Sequence, residues 1–188
     1  MAHITVQEGL PGITGLLEFR LDSSKPIREL TQILLRGPST LTEADRELIA
    51  TYVSFLNECI FCTSAHAATA NLLLGNTEIV ESVKWNLSKA PISDKLKILL
   101  IIAGKVQRGG KNVTEEDIAL ARHHGATDIE IHDTVLIASL FCLYNRYVDG
   151  LASFTPTDSS FYTTLAKRLV ERGYVRPEGG YTVYPPEK

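Results

Sequence analysis

Apolar residues recur every three or four positions along most of the chain, whereas no segment alternates between apolar and polar residues as a strand does. The clearest example begins after Thr42, a typical helix cap that precedes an acidic first turn, and continues to Leu56. Gly75, which suits the left-handed end of a helix, closes the next apolar segment. The pattern therefore predicts an all-α fold.

Seven helices are predicted from these signals in the middle and C-terminal parts of the chain. Their approximate ranges are 42–56, 59–74, 77–87, 91–107, 114–124, 128–151 and 158–173. A weaker pattern predicts one more helix over 26–35, within the glycine-rich first 37 residues. We therefore divide the chain into an N-terminal extension (1–37), a helical core domain (38–155), and a C-terminal helix and tail (156–188).

The tail combines three tyrosines, Tyr174, Tyr181 and Tyr184, with two prolines that follow them. Disordered tails usually contain fewer aromatic residues. The tail is therefore expected either to pack, on this or a neighbouring subunit, or to fray as many chain ends do.

Composition and charge place the chain among globular proteins. Of its 188 residues, 44% are hydrophobic and 22% are charged, which excludes an intrinsically disordered chain. The net charge of −3 argues against binding to nucleic acid. The longest apolar runs, such as 98–103, are far shorter than the ~20 residues of a membrane span. The N-terminus has no features of a secretion signal, so we expect a cytoplasmic protein without a membrane partner.

Two of the three cysteines, Cys59 and Cys62, form a Cys-x-x-Cys motif that is followed by His66. Cys62 and His66 are four residues apart, so on a helix their side chains lie on one face. Cys59 would lie at the N-terminus of that helix, where the helix dipole stabilises a thiolate. A neutral His66 could take the proton of Cys62, and two cysteines at this spacing can also form a disulfide. The motif therefore predicts redox chemistry, whereas Cys142, within an apolar run, is expected in the core.

A catalytic base usually needs an orienting group, and Glu47 on the preceding helix is the candidate. Small residues share its face, and the cysteine helix is rich in alanine. Two helices that meet through small residues can approach closely, which would bring Glu47 to His66. Glu58 is the rival carboxylate, but its position beside Cys59 at a helix boundary predicts that it faces water.

This arrangement resembles the core motif of the AhpD-like alkylhydroperoxidases, which belong to the carboxymuconolactone decarboxylase superfamily. The motif comprises Glu47, eleven further residues, Cys59-x-x-Cys62 and, after three more, His66. The residues around 47–57 and the stretch around 141–149 are also similar, and the resemblance covers about residues 20–155. The chain looks most like the peroxidase-related branch of that family, which has one core domain.

The resemblance implies a single helical domain that forms a homo-oligomer, from a dimer to a hexamer. It implies that Cys62 is the peroxidatic thiolate, that His66 and Glu47 form a proton relay, and that Cys59 resolves the sulfenic acid as a disulfide. The substrate would be a hydroperoxide and the reductant an external dithiol protein, with no cofactor and no metal. In the best-known peroxidases of the family a histidine precedes the second cysteine. This chain has Phe61 there, which removes one polar group from the surroundings of the thiolate.

Two alternatives use different chemistry. Decarboxylation of a lactone, the other named activity of the superfamily, has no use for two neighbouring cysteines. A non-catalytic redox sensor or zinc-binding oligomer would use Cys59, Cys62 and His66 as ligands, although no second cysteine pair supplies a fourth.

Overall fold

The structure, a computed structural model, describes residues 2–184. Within them it contains nine α-helices, two short 3₁₀ turns at Leu87–Lys89 and Gly110–Asn112, and no strand, which confirms the predicted all-α class. The helices are α1 (Ile13–Phe19), α2 (Leu21–Arg36), α3 (Glu43–Leu56), α4 (Ile60–Leu74), α5 (Thr77–Trp85), α6 (Asp94–Arg108), α7 (Glu115–His123), α8 (Asp128–Gly150) and α9 (Ser159–Arg172). None of the helices in this part of the chain is long and apolar enough to cross a lipid bilayer.

Capping residues explain where most of these helices begin. Thr42, Thr114 and Thr127 each accept a hydrogen bond from the backbone three residues later, and the acidic side chain there reaches back to the cap. Each therefore forms a capping box. Gly75 ends α4 in the left-handed conformation. The seven helices predicted between residues 42 and 173 are confirmed, with ends that differ by a few residues.

The N-terminal segment is more helical than the sequence predicts. The sequence indicates one helix over 26–35, whereas the structure has α1 and a longer α2 that begins at Leu21. Pro26 lies inside α2, where it removes only one bond of the helical ladder. Burial of Leu16 and Leu35, both fully buried, outweighs the poor helix propensity of the surrounding glycines and proline.

Four helices, α3, α4, α6 and α8, form the centre of the fold. The most extensive contact is between α3 and α4, and α6 and α8 pack on each other and on α3. Small buried residues, Ala50 and Ser54 on α3 and Ala65 and Ala70 on α4, allow the α3–α4 pair to approach closely, as the sequence predicts. Two further helices, α2 on α3 and α9 on α4, complete the surroundings of the cysteine motif.

The segment that follows α9 packs on its own chain. The backbone N–H of Tyr184 donates to the carbonyl of Gly9 at 2.7 Å, and that of Tyr174 donates to the Gln32 side chain at 2.7 Å. The tail therefore packs within the subunit over the described residues. The two prolines that follow Tyr184 lie outside them.

The contact between the N-terminal segment and α4 can be tested at Gly12, which has a φ of 56° and where an added Cβ would lie 2.2 Å from the ring of Phe61. We expect Gly12→Ala to lower the free energy of unfolding by about 2–4 kcal/mol, because steric overlap adds to left-handed strain. Gly75→Ala is the control, since its φ is 63° and no described atom lies within 4 Å of the added Cβ. Urea denaturation of both variants measures the difference, and equal losses would contradict the contact.

Candidate active site

The cysteine motif lies where the chain turns from α3 into α4. Glu58 has a left-handed φ of 59° and is exposed, which confirms that this carboxylate faces water. Cys59 is the N-cap of α4 and is fully buried, and Cys62 and His66 follow on the first two turns, 3% and 8% exposed. The sharp turn at Glu58 thus places one carboxylate in solvent and directs both thiols into the protein.

Glu47 is fully buried on α3 and is held by three side chains from three parts of the chain. Its Oε2 lies 2.7 Å from Nδ1 of His66. Its Oε1 accepts hydrogen bonds from Nη2 of Arg36 at 2.6 Å and from the hydroxyl of Tyr174 at 2.5 Å. The expected approach of Glu47 to His66 is therefore present in the structure.

The negative charge of Glu47 determines where the neighbouring Tyr174 and His66 carry their protons. Burial alone would raise the pKa of Glu47, but the His66 imidazole, the Arg36 guanidinium and the Tyr174 hydroxyl outweigh it and lower that pKa. Burial and the Glu47 charge raise the pKa of Tyr174 well above its usual value, so the hydroxyl keeps its proton and donates it. Because an ionised carboxylate only accepts hydrogen bonds, Nδ1 of His66 carries a proton, and Nε2 is the ring nitrogen that does not bind Glu47.

Both cysteines of the motif are free thiols. Cys59 is the main influence that raises the pKa of Cys62, and Asn145 of α8 opposes it. Cys59 also acts on the carboxylate of Asp149, one turn further along α8, where it lowers the pKa of Asp149 against the effect of burial. The two thiols therefore lie near each other and near the polar residues of α8, and Cys62 is one turn from His66 on α4.

Cys62 is a thiol, not a thiolate, in the reduced pair. The neighbouring Cys59 and burial raise the pKa of Cys62 well above the usual value, and Asn145 opposes this only in part. Cys62 therefore needs a proton acceptor at the moment of reaction, and Nε2 of His66 on the same helix face is suited to that role.

A cavity of about 60 Å³ lies beside this group and is lined by Cys62 and His66 but not by Cys59. Phe61 and Phe141 contribute apolar surface to the cavity, and Tyr174 of the C-terminal tail also lines it. The volume corresponds to a few water-sized molecules. A small oxidant in the cavity would meet Cys62 first, with Cys59 behind it.

Two partners of Glu47, Arg36 and Tyr174, were not among the residues that the sequence indicated. Arg36 ends α2, and Tyr174 follows the glycine that ends α9. The aromatic character of the tail was the one available signal for Tyr174. The ring of Tyr174 stacks on that of His66, with centroids 6.0 Å apart and planes at 11°, so it also fixes the plane of the imidazole.

No group of three or more His, Cys, Asp or Glu side chains within residues 2–184 is arranged to hold a metal ion. His66 already uses Nδ1 to bind Glu47, which leaves Nε2 as its one free nitrogen.

Comparison with known proteins identifies one family whose model matches part of the chain. The model of the carboxymuconolactone decarboxylase family matches residues 24–88, a range that contains all four residues of the motif. No curated protein sequence matches the chain.

Three solved structures are similar to the chain. An uncharacterized peroxidase-related protein from Silicibacter sp. TM1040 is 27% identical with a TM-score of 0.74, over 81% of this chain and 78% of that one. A second, from Ralstonia eutropha JMP134, is described as an alkylhydroperoxidase AhpD core. It is 25% identical with a TM-score of 0.74, and the match covers 84% of this chain and 81% of that one. A protein of unknown function from Agrobacterium tumefaciens shares the fold. It is 17% identical with a TM-score of 0.66, and the match covers 84% of this chain and 100% of that one.

The pairing of the buried Glu47 charge predicts a pH-dependent loss of stability in Glu47→Gln. Because the pKa of Glu47 is lowered on folding, its contribution is complete above its unfolded value of about 4.5 and is lost as the pH falls through the lower folded value. At pH 7 we expect Glu47→Gln to lower the free energy of unfolding by about 3–5 kcal/mol, since Arg36 loses its buried partner. The difference in free energy of unfolding between Glu47→Gln and wild type should become smaller below about pH 4.5.

Glu43→Gln is the control for that measurement, because Glu43 lies 3.6 Å from the same Arg36 but its side chain is 40% exposed. It should change the free energy of unfolding by less than about 1 kcal/mol. Urea unfolding between pH 3 and 8 measures both variants. A Glu47→Gln deficit that does not change with pH would contradict an ionised Glu47.

The influence of Cys59 on Cys62 predicts an altered titration of Cys62 in Cys59→Ala. Removing Cys59 removes the largest cause of the raised pKa of Cys62, so the midpoint of its alkylation by iodoacetamide should move to lower pH. Mass spectrometry of the Cys62 peptide over a pH series measures the midpoint. Cys142→Ala is the control and should leave the pH midpoint of Cys62 alkylation unchanged. A midpoint that stays or rises in Cys59→Ala would contradict the influence of Cys59 on Cys62.

Proposed function

We propose that the chain is an AhpD-like protein of the carboxymuconolactone decarboxylase superfamily and a thiol-dependent peroxidase that reduces hydroperoxides through Cys59 and Cys62. The family model that matches residues 24–88 and the similarity to two peroxidase-related structures support this. The observation that carries the proposal is the pair of neighbouring thiols at a small cavity, beside an imidazole that a buried carboxylate orients. The proposed chemistry has three steps, and each uses side chains in the positions described above.

In the first step a hydroperoxide in the cavity meets Cys62. Nε2 of His66 takes the thiol proton, and the thiolate attacks the distal oxygen of the peroxide. The O–O bond breaks, Cys62 becomes a sulfenic acid, and the departing alkoxide takes the proton back from His66 and leaves as an alcohol. Glu47 stabilises the imidazolium that exists between these two transfers, which is the role of a buried carboxylate beside a catalytic histidine.

In the second step Cys59 attacks the sulfur of the sulfenic acid. The S–O bond breaks, a disulfide forms between Cys59 and Cys62, and the hydroxide leaves as water with the proton of Cys59. Asp149 supports this step because its carboxylate lies near enough to Cys59 for the thiol to lower the pKa of Asp149. Burial raises the pKa of Asp149, which makes it a better proton acceptor than an ordinary aspartate.

In the third step an external dithiol protein reduces the disulfide by thiol–disulfide exchange, which supplies two electrons and two protons and restores both thiols. One hydroperoxide is thereby converted into one alcohol and one water. No metal or organic cofactor takes part in the proposed cycle.

A homo-oligomer, between a dimer and a hexamer, is part of the proposal. Apolar side chains exposed on the subunit support it, and among those more than half exposed are Ile33, Ile60 and Trp85. Ile60 follows Cys59 directly, so a subunit contact at this point would lie close to the site.

The proposal is tested by a peroxidase assay coupled to several dithiol reductants. Cys62→Ser should abolish turnover, and Cys59→Ser should consume one equivalent of peroxide and then stop, because no disulfide can form. His66→Gln should lower kcat/KM by about a hundredfold or more. Cys142→Ser is the matched control and should retain activity.

Two results would contradict the proposal. One is a count of free thiols that hydrogen peroxide and organic hydroperoxides leave unchanged. The other is activity on a lactone that survives the loss of both Cys59 and Cys62, which would instead support the decarboxylase activity for which the superfamily is named.

A further inference from the structure

The cavity beside Cys62 has a cationic wall that the proposed cycle does not use. Arg28 of α2 and Arg168 of α9 both line it. The carbon atoms of their guanidinium groups lie 5.3 Å and 5.1 Å from the centroid of the Tyr181 ring. Two positive groups from distant parts of the chain therefore meet at one ring of the tail, in the same cavity as the reactive thiol.

These positive charges exceed the negative charge around them. Arg28 pairs with Glu18 at 2.7 Å, but Arg176 binds the same carboxylate at 2.7 Å, so one negative charge serves two guanidinium groups. Arg168 has no carboxylate within 4 Å among residues 2–184. Cation–π contacts with Tyr181 compensate only part of the hydration that a buried guanidinium loses.

One donor on this wall has no acceptor. Arg28 is 5% exposed, and its Nε is a buried donor without a hydrogen-bond partner in the described residues. Buried polar groups of folded proteins are nearly always paired, and an unpaired one destabilises the structure that contains it. Such a donor in a cavity wall can be satisfied by a polar ligand or by an ordered water molecule.

We propose that Arg28 and Arg168 bind the carboxylate of the substrate, so that the preferred substrate is a small organic hydroperoxide that also carries a carboxylate. This inference rests on the proposed function for the reaction, but the anion site itself does not depend on it. Arg28 already donates from Nη1 to Ser24 and from Nη2 to Glu18, so it offers the ligand its Nε. Arg168 offers a planar fork of donors that matches a carboxylate, and the resulting hydrogen bonds are charge-assisted. The volume of about 60 Å³ excludes bulky anions.

Because the two arginines and Cys62 line the same cavity, the anion site would orient the substrate toward the thiol. A substrate held by its carboxylate at the arginines would present its hydroperoxide group to the thiol at the other part of the same cavity. The entering carboxylate would replace the contacts of Tyr181, whose ring is held between the same charges by weaker interactions. The tail would therefore adjust when substrate binds, while Tyr174 remains bonded to Glu47.

The test compares a carboxylate-bearing alkyl hydroperoxide with its methyl ester, and both with hydrogen peroxide. In wild type the carboxylate form should have the higher kcat/KM. Arg168→Met, which keeps an apolar stem, should lower kcat/KM for that substrate by about tenfold or more, and for the ester and hydrogen peroxide by less than about twofold. Arg172→Met, one turn along α9 and outside the cavity lining, is the matched control and should leave all three values unchanged.

A second measurement separates this inference from the proposed function. The reduced protein is alkylated at Cys62 with iodoacetate, an anion, and with neutral iodoacetamide. The ratio of the two rate constants should fall about fivefold or more in Arg168→Met and stay unchanged in Arg172→Met. This ratio can be measured even if no hydroperoxide oxidises the thiols.

Three outcomes would overturn the inference. The first is an unchanged alkylation ratio in Arg168→Met. The second is equal use of the carboxylate substrate and its ester by wild type. The third is an Arg168→Met variant that slows all three peroxides equally, since that would indicate a general effect on the cavity rather than recognition of an anion.

Discussion

A completely buried carboxylate is the constraint on which the rest of this structure depends. A charge in a protein interior is stable only when it is paired, and Glu47 is paired by groups from widely separated elements. Arg36 comes from the end of α2, His66 from α4, and Tyr174 from the segment after α9. The N-terminal, central and C-terminal parts of the chain therefore meet at one side chain, and moving any of them would leave a charge or a donor unpaired.

The charge of Glu47 also determines which nitrogen of His66 can accept a proton. With Nδ1 of His66 donating to Glu47, the ring can accept a proton only at Nε2. On the other side of the thiol pair, Cys59 lies near Asp149 of α8. In the proposed cycle the two thiols would therefore have separate proton acceptors, with Cys62 reacting first, at the cavity, and Cys59 second, from behind it. A pair that shared one acceptor would have to reset it between the two steps.

Phe61 shows how the surroundings of the thiols differ from those of the best-known peroxidases that the motif resembles. The ring is 2% exposed, packs near Phe161, and fills space that only a glycine at position 12 leaves open. An apolar group thus occupies the place of a second histidine. Polar groups reach the site from other directions instead, Asn145 from α8 and Tyr174 from the tail.

The sequence by itself determined the helices between residues 42 and 173 and the common helix face of Cys62 and His66, because caps, apolar periodicity and i,i+4 spacing are local properties. The approach of Glu47 to His66 was predicted from the small residues on α3 and α4, and it is a tertiary contact across 19 positions. It did not determine α1 or the start of α2, where burial overrides the local preference of glycine and proline. Only the tertiary structure decided that Arg36 and Tyr174 pair with Glu47. These partners are 11 and 127 positions away from it, and no periodicity connects residues that meet only through packing.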